Sequence, residues 1–186
     1  MTASATFIDG VNEFREALAS DDSFDAWYRR TSPRVYAYLL TRCGSDQALA
    51  DELLQQTLIA AIDQRSRYDG RSDVVAWLCG IARHKLADHF RRLEREERRR
   101  IHVEVEQIEL HRAPGASSLD DAAAISEALR SLPAAQRAVL TFAVLDDRPI
   151  VEVARLMRRS PLATQSLLHR ARTNFKRAYL GEALHG

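Results

Sequence analysis

Apolar residues recur every three or four positions through much of this chain, the period of an α-helix with one buried face. The clearest case follows Ser45-Asp46, a pair of short polar residues that can cap a helix from residue 47 to about 65. The apolar positions of this helix are Ala50, Leu53, Leu54, Thr57, Leu58, Ala61 and Ile62. Because other segments repeat the pattern, we predict an all-α fold.

Another long helix is predicted after the turn at residues 69–73, with Ser72 or Asp73 as its cap. Its apolar stripe comprises Val74, Trp77, Leu78, Ile81, Ala82, Leu86 and Phe90. Its other face carries eight Arg and Lys against four acids between residues 83 and 100. This layout suits a helix that runs beside a phosphate backbone, and a solvated, salt-bridged surface is the alternative.

Before residue 45 the pattern predicts one helical face, formed by Phe24, Trp27, Tyr28, Val35, Tyr36, Leu39 and Leu40. Pro33 either bends or splits this helix, because proline lacks the N–H that a helix interior needs. Phe7, Val11, Phe14 and Leu18 indicate a short amphipathic segment that is either a frayed arm or a docking helix.

Two short helices around a tight turn are predicted near the C-terminus. The first contains Ile150, Val153, Ala154 and Met157. The second opens with Ser160-Pro161, and its predicted buried stripe is Thr164, Leu168, Ala171 and Phe175. This is the pattern of a helix-turn-helix.

An acidic stretch followed by residues 113–118, Ala-Pro-Gly-Ala-Ser-Ser, predicts a flexible linker. We therefore expect an N-terminal extension over residues 1–22, a helical domain over 23–98, an acidic linker over 99–122 and a helix-turn-helix domain over 123–182. Pro133 is expected to open a helix within the last of these.

The net charge of +1 hides a strong segregation. Residues 153–181 carry seven bases and no acid, whereas residues 101–127 carry six acids and one base. Such polarity indicates an anionic partner and at least one surface that avoids it.

The sequence lacks the signals of several classes of protein. Cys43 and Cys79 lie far apart, which favours inert buried thiols over a disulfide or a sensor. The chain shows no apolar run long enough for direct membrane insertion and no leader, so we expect a cytoplasmic location. No nucleophile with a base, glycine-rich phosphate loop or metal cluster is evident, so we expect no enzyme, no cofactor and no metal.

Several motifs, in one order, resemble the extracytoplasmic-function sigma factors of the sigma-70 family. These motifs are Asp51-Glu52-Leu53-Leu54-Gln55-Gln56-Thr57-Leu58, Ala76-Trp77-Leu78, Ile81-Ala82-Arg83, Asp88-His89-Phe90-Arg91-Arg92, Ala128-Leu129-Arg130-Ser131-Leu132-Pro133 and Leu168-His169-Arg170-Ala171-Arg172. The resemblance covers residues 24–95 and 123–180. It implies sigma-two-like and sigma-four-like domains.

The resemblance further implies a dissociable subunit that binds core RNA polymerase, directs it to promoters and helps to melt them. The polymerase-binding residues would be Asp51, Glu52, Gln55 and Gln56. Since the family commonly has glutamate at Gln56, a charge-assisted contact is expected to become neutral here.

Promoter DNA would contact two sets of residues. In the minus-ten set, a loop would hold a base flipped from the strand; it comprises Tyr68, Asp69, Gly70, Arg71, Ser72 and Asp73. The other members lie on the basic helix: Arg83, His84, Lys85, His89, Arg91 and Arg92. Trp77 is a stacking platform or, as we favour, a core residue. His84 and His89 are expected to touch DNA or solvent, not a metal ion.

The minus-thirty-five set would enter the major groove: Arg158, Ser160, Ala163, Gln165, Ser166, Leu167, His169, Arg170 and Arg172. Gln165 could pair with adenine and Leu167 could touch a thymine methyl. Alternatively, Leu167 and Leu162 belong to a surface for another protein. Arg158 stands where the family often has glycine. Phosphate contacts are expected from Arg158, Arg159, Arg170, Arg172, Lys176 and Arg177.

The resemblance implies an anti-sigma factor as a further partner. Two rival functions remain open. One is an autonomous helix-turn-helix regulator that binds an operator without polymerase. The other is an interaction protein that occupies polymerase or an anti-sigma factor without promoting initiation.

Overall fold

The computed structural model describes residue 14, residues 16–103 and residues 121–181. These residues contain seven α-helices and no strand, so the all-α prediction is confirmed. The helices are α1 (Asp21–Arg42), α2 (Gln47–Asp63), α3 (Val74–Val103), α4 (Asp121–Arg130), α5 (Ala134–Leu140), α6 (Ile150–Met157) and α7 (Pro161–Tyr179). Most of the predicted extension and the middle of the predicted linker lie outside the described residues.

The chain forms two compact units, Met1–Leu86 and Ala87–Gly186. Helix α3 therefore starts in the first unit and ends in the second. The predicted linker over 99–122 differs from this structure at both ends, because α3 continues to Val103 and α4 begins at Asp121.

In the first unit, α1 and α2 bury their apolar stripes against each other. Trp27, Val35 and Leu39 of α1 are almost fully buried, as are Ala50 and Leu53 of α2. Apolar burial of this kind supplies the main driving force for the unit. Pro33 lies inside α1 and does not split it. Asp46 caps α2 by accepting a hydrogen bond from the backbone N–H of Leu49 at 3.0 Å.

The sequence left open whether the segment that contains Phe14 is a frayed arm or a docking helix. The side chain of Phe14 is only 1% exposed, which favours docking. Its ring centroid lies 5.1 Å from that of Trp27, 5.7 Å from Trp77 and 6.0 Å from Tyr68. Aromatic pairs at these distances attract one another beyond the burial of their surface. The docking interpretation therefore holds for Phe14 and for the buried Ala17.

In the second unit, the C-terminal half of α3 contacts α5 and the residues that directly follow α5. The ring of Phe90 meets Phe142 edge to face at 6.1 Å. The backbone N–H of Ala134, at the start of α5, donates to both carboxylate oxygens of Glu97 at 3.0 Å. Pro133 precedes α5 and makes no side-chain cap, so Glu97 supplies the cap from another helix.

Helix α5 is followed by a π-helical turn, Thr141–Leu145, and then by the predicted helix-turn-helix. Helices α6 and α7 are joined through Arg158, whose backbone is left-handed at φ 54°. The Ser160 hydroxyl caps α7 by accepting from the N–H of Ala163 at 3.2 Å, and Pro161 is the first residue of α7.

The buried side of α7 differs from the prediction by one residue. Leu167 is 5% exposed and packs with Thr164 and Ala171, whereas Leu168 is only half-buried. The prediction that Leu167 points away from the buried stripe is therefore wrong. Position 167 lies three residues after Thr164 and four before Ala171, which is as good a helical spacing as that of position 168.

Candidate functional site

The outer face of α2 presents acids and amides to solvent. Asp51, Glu52 and Gln55 are exposed, and Ile59 beside them is 61% exposed. The half-buried Gln56 donates from Nε2 to the Glu52 carboxylate at 2.9 Å. This face combines hydrogen-bonding groups with one apolar residue, a combination common at the rim of a protein interface and unfavourable to a phosphate backbone.

The loop before α3 is held from within by Tyr68. Its side chain is 4% exposed, and its hydroxyl donates to the backbone carbonyl of Ser72 at 2.8 Å. The ring therefore lies in the core, and the contact of Tyr68 with DNA stays a prediction. Gly70 has a φ of 73°, which glycine adopts without steric cost, and so lets the loop turn back on itself.

Polar contacts fix the remainder of this loop. The Asp69 carboxylate accepts from the N–H of Arg71 at 3.0 Å and pairs with its guanidinium at 3.3 Å. Asp73 caps α3 by accepting from the N–H of Val75 at 3.2 Å and also contacts Arg34 at 3.3 Å. The exposed side chains of the loop, including that of Ser72, therefore project from a braced turn.

Trp77 lies beneath the loop rather than on it. Its ring centroid is 5.0 Å from that of Tyr68, and its side chain is half-buried. These contacts support the core-packing interpretation of Trp77.

The basic residues of α3 fall into two environments. In the first unit, Arg83 lies over the Tyr38 ring at 5.9 Å, Lys85 is half-buried and His84 is exposed. In the second unit, Arg92 is exposed and contacts Nδ1 of His89 at 3.2 Å. These basic side chains are exposed or half-buried, so an anion can reach them from solvent.

Arg91 has hydrogen-bond partners within the second unit. Its guanidinium donates to the backbone carbonyl of Leu156 in α6 and to the carboxylate of Asp88. Its side chain is 22% exposed. Arg91 therefore links parts of the second unit in this structure, and its contact with DNA stays a prediction.

Helix α7 exposes a face without any acidic residue. Among the predicted residues, the exposed ones are Arg158, Ser160, Ala163, Gln165, Ser166, His169, Arg170 and Arg172. Ser160 is also committed to capping α7. Arg159 pairs with Glu94 and is 24% exposed, and its expected phosphate contact stays a prediction.

Sequence reasoning placed Leu162 only in the alternative protein surface. The structure leaves its side chain 76% exposed. Leu162 lies four residues before Ser166 and seven before His169, so the three share one face of α7. The helical spacing of Leu162, Ser166 and His169 could have shown from the sequence that Leu162 lies on the same face as these polar residues.

Burial is the main cause of the pKa shifts of Cys43 and Arg137. Burial, with a smaller effect of Asp46, raises the pKa of the Cys43 thiol from 9.0 to about 12. Burial lowers the pKa of Arg137, and the nearby Glu97 carboxylate partly opposes this effect. The inert thiol expected for Cys43 follows, because the thiolate is the reactive form.

Within residues 14, 16–103 and 121–181, no group of three or more His, Cys, Asp or Glu side chains is placed to hold a metal ion. In the same residues, no helix combines the length and apolar character needed to cross a membrane.

Comparisons with known proteins give matches over both parts of the chain. Residues 27–96 match the family model of Sigma-70 region 2, and residues 122–175 match that of Sigma-70, region 4. The chain is 33% identical over 165 residues to the ECF RNA polymerase sigma factor BldN of Streptomyces coelicolor. That alignment covers 84% of this chain and 60% of BldN.

A second relative matches over a larger share of its own length. The chain is 30% identical over 138 residues to the ECF RNA polymerase sigma factor SigF of Caulobacter vibrioides, covering 74% of this chain and 75% of SigF. In fold, the chain resembles the sigma factor RpoE of Bartonella quintana, solved in complex with the anti-sigma factor NepR. That match has a TM-score of 0.51 at 24% identity and covers 83% of this chain and 95% of RpoE.

Proposed function

Because the chain belongs to the extracytoplasmic-function sigma factors of the sigma-70 family, we propose that it binds core RNA polymerase, directs it to specific promoters and assists promoter melting. The observation that carries this proposal is the presence of two chemically opposite surfaces on one chain. Helix α2 exposes acids and amides, whereas the exposed face of α7 carries no acid. A regulator that binds DNA alone needs only the second surface.

The polymerase would bind the outer face of α2. Asp51, Glu52 and Gln55 are exposed there and can exchange hydrogen bonds with a partner, and Ile59 offers apolar area beside them. The Glu52 carboxylate already accepts from Gln56. Gln56 would therefore orient Glu52 and add a neutral hydrogen-bonding edge, where a second carboxylate would add charge.

The minus-ten element would meet the braced loop and α3. An extruded base costs a few kcal/mol of lost stacking, which contacts with a pocket must offset. A loop already fixed by Tyr68, Asp69 and Asp73 loses little conformational freedom when it binds. Arg71 and Ser72 would then contact the base, while Arg83, His84, Lys85, His89 and Arg92 would contact the strand.

The minus-thirty-five element would receive α7 in its major groove. Gln165 presents an amide that can form two hydrogen bonds with adenine, and Ser166 and His169 lie on the neighbouring exposed positions. Arg158, Arg170, Arg172, Lys176 and Arg177 are exposed and would contact phosphates, which makes the affinity dependent on salt.

An anti-sigma protein would regulate the chain by covering these surfaces, as the partner in the RpoE–NepR structure is an anti-sigma factor. The proposal places the chain in the cytoplasm, where polymerase works, and assigns it no catalytic step and no cofactor. Phosphodiester chemistry belongs to the polymerase.

The experiment that tests the proposal mixes the chain with core RNA polymerase and a genomic fragment library and sequences the transcript starts. Starts that share two sequence blocks upstream, and that require the chain, are expected. Starts identical to those of core polymerase alone would overturn the proposal. Specific binding of the chain alone to one duplex site, without polymerase, would favour the autonomous regulator.

A further inference from the structure

Leu162 is the most exposed large apolar side chain in the part of the chain that the structure describes, at 76%. It is the second residue of α7, directly after Pro161. The first turn of α7 is fixed by the Ser160 cap, so Leu162 is held in place at the surface although its side chain packs against little.

Leu162 also lies on the side of α7 that is opposite the buried residues. Ser166 and His169 follow it at helical spacing, and both are exposed. Thr164, Leu167 and Ala171 form the buried side of the same helix. A partner that binds the exposed face of α7 therefore contacts the row of side chains to which Leu162 belongs.

The residues around Leu162 favour DNA as what it meets. From residue 153 to residue 181 the chain carries seven bases and no acid. The N-terminal residues of the second helix in a helix-turn-helix are the ones that reach base edges in the major groove. Leucine has no hydrogen-bonding group, so it can read only an apolar group there, and the C5-methyl group of thymine is that group.

We infer that Leu162 is a specificity-determining residue that contacts a thymine methyl group in the minus-thirty-five element. This inference rests on the proposed promoter-binding function. The sequence had assigned the contact with a thymine methyl group to Leu167, which the structure buries. The inference assigns this contact to Leu162 instead.

The test replaces each thymine of the minus-thirty-five element, one at a time, by deoxyuridine, which removes the methyl group and keeps the base pair. The chain is assembled with core RNA polymerase, and transcript yield is measured at a limiting holoenzyme concentration. With the unchanged chain, one replacement is expected to lower the yield by about fourfold, the effect of one buried methyl-sized group. With Leu162→Ala, the yield on the thymine template falls, and that same replacement has no further effect.

Leu180→Ala is the matched control, because Leu180 is also exposed, at 55%, but lies at the far end of α7. This variant is expected to keep the fourfold response to deoxyuridine. Leu162→Ala removes an exposed side chain near a helix end and is not expected to impair folding.

Two results would overturn the inference while leaving the proposed function intact. In one, transcription proceeds but no deoxyuridine replacement changes its yield. In the other, Leu162→Ala lowers the yield equally on every template, which would assign Leu162 to a protein contact. Absence of any chain-dependent transcription would instead refute the proposed function itself.

Discussion

At the scale of single residues, burial distinguishes Leu162 from Leu167 in α7. Leu167 is 5% exposed and Leu162 is 76% exposed. A buried leucine contributes transfer free energy and fills space that its neighbours cannot close, whereas an exposed leucine contributes little of either. The two positions should therefore respond differently to the same substitution.

Leu167→Ala is expected to lower the free energy of unfolding by about 2–5 kcal/mol, the usual range for a leucine removed from a core. Urea unfolding followed by circular dichroism measures the change. The control is Leu162→Ala, which should stay within about 0.5 kcal/mol of the unchanged chain. Equal effects of the two substitutions would contradict the burial of Leu167.

Cys43 provides a prediction about reactivity. Because burial raises its pKa to about 12, the thiol stays protonated in the folded chain at pH 8. Alkylation at pH 8, followed by mass spectrometry of peptides, should leave Cys43 unmodified until urea unfolds the chain. The raised pKa also means that Cys43 favours the folded state below pH 9 and that this contribution is lost as the pH rises towards 12. Rapid alkylation of Cys43 in the folded chain would contradict this account.

Sequence alone could not have settled these residues, and the reason is geometric. Positions 167 and 168 are both three or four residues from Thr164 and Ala171, so the helical period accepts either as the buried one. Tyr68 likewise directly precedes a turn in the sequence, which gave no sign that its ring is buried near Phe14 and Trp77. Tertiary packing determines that Leu167 and Tyr68 are buried.

At the scale of elements, the turn between α6 and α7 carries a residue in an unfavourable conformation. Arg158 has a left-handed backbone, in which the Cβ of any residue but glycine approaches a carbonyl oxygen too closely. Glycine at the end of a helix avoids this cost.

Arg158→Gly is therefore expected to stabilise the chain by about 0.5–1 kcal/mol, the relief of strain less the added freedom of the unfolded chain. Thermal unfolding measures the shift. Arg155→Gly, at an exposed position inside α6, is the control and should destabilise by about 1 kcal/mol. A loss of stability in Arg158→Gly would contradict the argument from backbone strain.

The cap that α3 supplies to α5 gives a second prediction for the elements. Glu97→Ala leaves the N–H of Ala134 without its carboxylate acceptor. Loss of such a cap is expected to cost about 1 kcal/mol. Urea unfolding of this variant is compared with Glu96→Ala, whose side chain is exposed on the same helix. If both variants unfold at the same urea concentration, Glu97 is not a cap in solution.

The helices themselves were predictable because periodicity, Asp46, Asp73 and Ser160 are local signals. The contacts that assemble the second unit are not local. Glu97 and Ala134 are 37 positions apart, and Arg91 and Leu156 are 65 positions apart. No periodicity connects such positions, which is why Arg91 was expected to bind phosphate and was found bound to a backbone carbonyl.

At the scale of the whole molecule, the segregation of charge was readable in the sequence because it is a property of segments rather than of single contacts. The acids and amides of α2 and the acid-free face of α7 are both exposed, as their spacing predicted. A chain with one surface for a protein and another for DNA can recruit an enzyme to a DNA site. The central claim is therefore that the two surfaces work only together with core polymerase.

The most direct test measures the run-off transcript made by core RNA polymerase on a promoter that the chain selects, with and without the chain. The account predicts that core polymerase alone makes no specific transcript and that the chain restores it. It also predicts that Glu52→Lys lowers the yield at least tenfold, whereas Asp25→Lys, a reversal on the exposed side of α1, leaves it nearly unchanged. A transcript yield that does not depend on the chain, or that Glu52→Lys leaves intact, would contradict the account.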